Sequence, residues 1–134
     1  AVLETASQGL LAAKCIGTEW LVSASYEQSL NRLKEKFDIV DASDDVAMIA
    51  KTVAGQLQQQ RGVDFVLIQL YAEDRHILYD KDKPIVVHSF LFSGDQCHHA
   101  AHSIAGTIQR KQKQAALMSL DTLRRYLRRD SRSL

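Results

Sequence analysis

Val63-Asp64-Phe65-Val66-Leu67-Ile68-Gln69-Leu70 and Pro84-Ile85-Val86-Val87-His88-Ser89-Phe90-Leu91-Phe92 are the two strongest strand signals in the chain. Their relative direction decides the fold. Nearly continuous apolar character fits strands buried on both faces. Pro84 stands at a strand start, where its missing N–H is tolerated. The connection from Tyr71 to Lys83 is rich in charge. It is just long enough for a parallel crossover with one short helix. The competing reading is a hairpin, with Ile77-Leu78-Tyr79 as an extra strand.

Upstream, Glu19-Trp20-Leu21-Val22-Ser23-Ala24 and Phe37-Asp38-Ile39-Val40-Asp41-Ala42 are shorter apolar runs. Tyr26 to Phe37 reads as a helix, with Tyr26, Leu30, Leu33 and Phe37 on one face. Ser25 caps it, and Gln28 completes a capping box. A second helix runs from Asp44 to Gln60, with Ser43 or Asp44 as its cap. Val46, Ile49, Ala50, Val53, Ala54 and Leu57 form its apolar stripe, and Gly62 stops it.

Downstream, Ser93-Gly94-Asp95 is a turn and cap signal. A helix is expected from about Gln96 to Gln112, then a short strand over Ala115-Ala116-Leu117-Met118. Asp121 caps a final helix carrying Leu123, Tyr126 and Leu127. Residues 1–18 read as a linker or a lead-in helix built on Leu3, Ala6, Leu10, Leu11 and Ala13, weakened by Gly9 and Gly17. The domain proper is then 19–134.

Alternation of strand and helix predicts an α/β fold. The sheet is expected to be doubly wound and parallel, of about five strands, flanked by helices and with a shortened third helix. Such sheets place their working groups at the carboxyl ends of the strands.

A length of 134 residues suits one domain, and 46% hydrophobic with 25% charged residues fits a folded chain rather than a disordered one. Net charge is +1, so no global field draws in nucleic acid. The charge is uneven: residues 1–67 hold 6 basic and 9 acidic residues, and residues 68–134 hold 11 and 7. No apolar run reaches membrane-spanning length, and Ala1 to Gly9 lacks the basic start of a signal peptide. A first residue of Ala rather than Met fits a processed chain or one cut from a larger protein. Cys15 and Cys97 make no disulfide framework, so a reduced cytoplasmic setting is expected.

The order of elements resembles a response-regulator receiver domain, a flavodoxin-like fold, over about residues 19–130. Asp64 to Leu70 resembles the family's third strand, which ends in a phosphate-accepting aspartate. Pro84 to Ser89 resembles its fourth strand, ending in Thr or Ser. Leu117-Met118-Ser119-Leu120 and Asp121 to Arg129 resemble its fifth strand and last helix. The resemblance implies an acidic pair for Mg²⁺ at Ser23 and Ala24, an acceptor at Gln69, a hydroxyl at Ser89 and a lysine at Ser119 or Lys113. Only the hydroxyl is retained, and Gln69 cannot form an acyl phosphate. The implied function is a non-enzymatic pseudo-receiver that regulates by protein–protein contact, without a cofactor. Its partner is another protein, an adjacent domain of the same chain, or a second copy. The partner face is Leu123, Tyr126 and Leu127 with Arg124 and Arg128; Ile108 and Leu117 are further candidates for core or contact.

Other constellations point elsewhere. His98 and His102 share a face at i,i+4 on the expected helix, beside Cys97 and His99, with His88 nearby. That spacing suits a transition metal, but a site needs three or four ligands, so no metal is expected. Arg124, Arg125, Arg128, Arg129 and Arg132 form a basic cluster. Without an accompanying DNA-binding motif, it favours a solvated face over nucleic acid. Asp41, Asp44 and Asp45 are capping residues, and Trp20 is core or interface. The glycines form no phosphate loop, and neither Ser23 nor Ser89 has a nucleophile elbow. Two alternative functions follow: a ligand-sensing module of the GAF or roadblock kind, with residues 64–92 antiparallel, and a metal-binding protein using the His cluster.

Overall fold

The computed structural model describes residues 1–7, 9, 11, 24–27, 29–39 and 45–132. Its elements, in chain order, are β1 (Val2–Glu4), β2 (Ala24–Tyr26), α1 (Leu30–Lys36), α2 (Val46–Arg61), β3 (Phe65–Leu70), α3 (Arg75–Tyr79), β4 (Ile85–Ser93), β5 (Gln96–Ile104) and α4 (Ile108–Arg132). They build an α/β fold on one sheet of order β2-β1-β3-β4-β5.

The sheet is mixed. β1 runs parallel to β2 and to β3. β3 and β4 are antiparallel, Phe65 facing Ser93 and Leu70 facing His88, and β4 and β5 are antiparallel along their whole length. The expected doubly wound parallel sheet is therefore corrected. The Tyr71–Lys83 connection carries α3, as the crossover reading required, yet it returns the chain antiparallel. The extra strand over Ile77–Tyr79 in the hairpin reading is absent, since those residues lie in α3, but the antiparallel order of residues 64–92 that this reading and the GAF or roadblock alternative require is present.

The expected helix from Gln96 is a strand. Residues 94 and 95 form a tight turn, with Gly94 at φ +57°, a conformation suited to the first position of a two-residue hairpin loop. Exposure then alternates along β5, the period of two that a strand imposes. α4 absorbs both the expected strand at 115–118 and the expected cap at Asp121. Ala, Leu, Met, Lys and Gln are strong helix formers, and nothing between Gly106 and the helix end breaks the run.

β1 is equally unexpected. Val2–Glu4 lies inside the sheet between β2 and β3, in a segment read as linker or lead-in helix. Three residues are too few to show a period. Ser29, not Ser25, caps α1 by accepting from Arg32 N–H. Asp45 caps α2, accepting from the N–H groups of Ala47 and Met48, and Gly62 ends it at φ +60°. Ser23, Ser43, Asp41, Asp44, Cys15 and Trp20 lie outside the described residues.

Two apolar layers flank the sheet. On one face Leu3, Val66, Ile68, Leu70, Phe90 and Phe92 pack against Leu30, Leu33 and Phe37, and against Ile49, Val53 and Leu57 of α2. On the other, Val2, Leu67 and Leu91 meet Ala116 and Leu123 of α4. Ile85, Val87 and Ile104 meet Ala115 there, with Leu78 of α3. Alternate residues of each strand thus serve opposite faces.

Candidate functional site

A fully buried polar row crosses the sheet under α4. Glu4 of β1 pairs with Gln69 of β3, and Gln69 pairs with Ser89 of β4. All three are fully buried, as are Thr5 and Ser119. Ser119 projects from α4 onto this row and shares hydrogen bonds with Gln69 and Ser89. The position has topological meaning. The chain passes from β1 to β2 on one side and from β3 to β4 on the other, so the strand order reverses between β1 and β3. Open α/β sheets bind ligands at such a switch point, beyond the carboxyl ends of the strands.

The loop after β1 is folded back onto this row. Glu4 Oε1 accepts from Ser7 Oγ at 2.5 Å, from Gly9 N–H at 2.7 Å and from Leu11 N–H at 3.1 Å. Gly9 has φ +100°, a backbone state that glycine reaches without a Cβ penalty. Gln69 Oε1 accepts from Ser7 N–H at 2.8 Å and Ser7 Oγ at 3.0 Å. Gln69 Nε2 donates to Ser119 Oγ at 3.0 Å, and Ser119 Oγ lies 2.9 Å from Ser89 Oγ. The Thr5 hydroxyl donates to the Gln69 carbonyl at 3.1 Å. A carboxylate, an amide and four hydroxyls thus form one connected network. Such a network orders the loop, because each buried polar atom left unpaired would cost about 1–3 kcal/mol.

No protein-family model matches the chain, and no curated protein matches it in sequence. Solved structures do. A competence-damaged protein (CinA) superfamily protein from Enterobacter cloacae superimposes with a TM-score of 0.68 at 13% identity, covering 91% of this chain and 78% of that one. A CinA superfamily protein from Escherichia coli gives 0.66 at 15%, covering 91% and 76%. The competence damage-inducible protein A of Klebsiella pneumoniae gives 0.67 at 15%, covering 94% and 84%. The chain has a CinA-like fold. At these identities the likeness concerns the fold alone.

The CinA-like fold overturns the receiver resemblance and, with it, the pseudo-receiver signalling function read from it. The antiparallel β3–β4 pairing is the physical reason: the receiver resemblance requires these two apolar runs to lie parallel, and they do not. Of the positions assigned to a degenerate receiver pocket, Gln69, Ser89 and Ser119 do meet, but on a different framework. Ala24 lies in β2 at the far side of the sheet and is exposed, and Lys113 is exposed on α4. Glu4, Thr5 and Ser7 went unrecognised. The only signal was Glu4-Thr5-Ala6-Ser7-Gln8-Gly9 itself, a carboxylate followed by small hydroxylic residues and a glycine.

The His cluster divides across β5. His98 and His102 face α4, lining a cleft of about 170 Å³ with Asp121, Thr122, Arg125 and Tyr126. The His98 ring lies 4.7 Å from that of Tyr126. Opposite, His99 Nε2 is 3.0 Å from His88 Nδ1, and the His99 ring stacks on Phe90 at 4.2 Å. Burial, then the neighbouring His99, lowers the His88 pKa; burial lowers that of His99 and raises that of the Cys97 thiol. Among the described residues no three His, Cys, Asp or Glu side chains gather around a metal position.

The expected partner face is divided too. Leu123 is buried against the sheet, and Tyr126 packs edge-on against Phe65 at 5.7 Å. Leu127 is exposed beside a cavity of about 450 Å³ at the amino ends of β1 and β3. Arg124 and Arg128 are exposed. No described helix is long and apolar enough to cross a membrane.

Proposed function

We propose that this CinA-like domain binds a small polar molecule at the carboxyl end of β1. Glu4, Thr5 and Ser7 are its contacts, held in place by Gln69, Ser89 and Ser119. The observation that carries this reading is the fully buried polar row of Glu4, Gln69 and Ser89, located at the switch point of the sheet. Apolar residues of similar volume would fill that space without the penalty of burying polar groups. A carboxylate beside hydroxyls and an amide recognises hydroxyl-bearing or amide-bearing molecules. The structural neighbours are named for competence and damage induction, and a role in such a response is the setting we propose.

The cluster is closed, so entry requires the loop after Glu4 to lift. Complete burial supports a second reading, in which the network serves only to shape this loop. A thermal-shift screen of polar metabolites bearing hydroxyl or amide groups, repeated on Ser7→Ala, separates the two. Binding predicts a ligand that raises Tm in the parent and not in the variant. A purely structural network predicts a lower Tm for Ser7→Ala and no ligand response in either protein.

A further inference from the structure

The outer edge of β5 is the most unusual surface of the described chain. Its nine residues, Gln96 to Ile104, pair with β4 without a bulge. The stretch Gln-Cys-His-His-Ala-Ala-His-Ser-Ile holds no Lys, Arg, Asp, Glu or Pro. Natural edge strands are commonly blunted by such residues, by bulges or by shortness. None of these devices is present here.

The hydrogen-bond alternation tells which groups of β5 face away from β4 and have no strand partner among the described residues. Leu67 N–H donates to the Ala1 carbonyl, and the Gln69 carbonyl accepts from Thr5 N–H. Odd-numbered residues of β3 therefore turn their peptide groups to β1, and even-numbered ones to β4. Carried through the antiparallel ladders, this leaves Val87, Ser89 and Leu91 bonding to His102, Ala100 and His98. The N–H and C=O groups of Cys97, His99, Ala101 and Ser103 consequently point off the edge.

We propose that two copies of this chain pair antiparallel through the free edge of β5, about a two-fold axis at Ala100, and so continue one sheet across both. That register uses the whole strand, since Ala100 is its midpoint. It sets Cys97 against Ser103 of the second copy and His99 against Ala101, and both are pairs of outward-facing residues. His98 meets His102, and Ala100 meets Ala100 with minimal bulk on the axis. An isologous interface requires this self-complementarity. No pair of formally charged side chains opposes it.

The layers leave room for the pairing. α4 packs on β3, β4 and β5, and α2 on β3 and β4, while Cys97, His99, Ala101 and Ser103 on the other face of β5 are exposed. Centred near β4, the two α4 helices would lie roughly 14 Å apart, three strand spacings. Packed helices need about 8–10 Å, so neither blocks the approach. This inference is independent of the ligand reading above.

The test is the mass of the full chain in solution by sedimentation equilibrium over a wide concentration range. The parent should reach twice the single-chain mass. Ala101→Pro removes an outward N–H and no bond to β4, so it should be monomeric with an unchanged circular dichroism spectrum. Ser103→Lys, which adds a charge without touching the backbone, should weaken association at least tenfold. Ala100→Cys in a Cys15→Ser, Cys97→Ser background should give a disulfide-linked dimer on mild oxidation, because Cα atoms at such an axis lie about 4.5 Å apart. A parent that stays monomeric overturns the proposal. So does a dimer unaffected by both Ala101→Pro and Ser103→Lys, or a failure of Ala100→Cys to cross-link.

Discussion

Gln69 on β3 donates its side-chain amide to the hydroxyl of Ser119 on α4, 3.0 Å away, and both side chains are fully buried. The same amide accepts from Ser7 through its oxygen. One side chain thus joins the sheet, the last helix and the loop after β1. Gln69→Leu would leave the Ser7 N–H and the Ser119 hydroxyl without this partner. We expect a loss of about 3 kcal/mol in urea unfolding. Ser119→Ala should cost less, because Gln69 keeps its bonds to Ser7. A double-mutant cycle between Gln69→Leu and Ser119→Ala should show coupling of about 1 kcal/mol.

Lys111 reaches from α4 to three carbonyls, those of Ile77 at 2.8 Å, Asp80 at 2.7 Å and Lys83 at 2.6 Å. Its side chain is fully buried. The ammonium terminates α3 and ties the connection into β4, where the end of a helix favours a cation. Lys111→Met keeps the length and removes all three donors. A loss of about 3 kcal/mol is expected, with faster hydrogen exchange concentrated around residues 77–85. Lys111→Arg should not restore stability, since a planar guanidinium cannot aim at three carbonyls converging on one point.

These two residues mark how far the sequence could be read. β3, β4 and α2 were legible because their apolar patterns are long and their ends carry Pro84 and Gly62. β5 was not. Cys97, Ala100, Ala101 and three histidines give almost no contrast between its two faces, and alanine favours helix on propensity alone. The direction of β4 was illegible for a different reason: a connection holding one short helix serves parallel and antiparallel returns alike. Within the polar row, Gln69 and Ser89 are named in the sequence reading only through the receiver resemblance, as its acceptor and hydroxyl positions at the ends of two apolar runs. Glu4 is not, because Val2 and Leu3 make too short a run to declare a strand that Glu4 would end.

His88 and His99 give a pH dependence whose sign is fixed. Burial holds both imidazoles below the ordinary value of 6.5, and the neighbouring His99 lowers His88 further. Glu73 acts on His88 in the opposite sense, as the smallest of its three influences. The unfolded chain therefore takes up protons first as pH falls. Stability at these sites is complete above the unfolded value, declines below it, and levels off once the folded imidazoles titrate. Tm should drop between about pH 7.5 and 5.5. His99→Phe keeps a ring on Phe90 and removes one titrating group, so its drop should be smaller. Equal drops in parent and variant would contradict this assignment.

Tyr71 sets the alkaline limit by the same linkage with the opposite sign. Its phenol is pushed up to about 12 from 10.0, chiefly by burial, with Arg75 pulling the other way. The folded state holds the proton that the unfolded chain would release near 10. Its contribution is whole below that value and disappears as pH rises towards 12. Ultraviolet titration should show one phenol of the four ionising late, together with loss of far-ultraviolet circular dichroism. In Tyr71→Phe that late phenol should be missing, and the alkaline unfolding midpoint should move to higher pH. An unchanged midpoint would assign alkaline unfolding to another group.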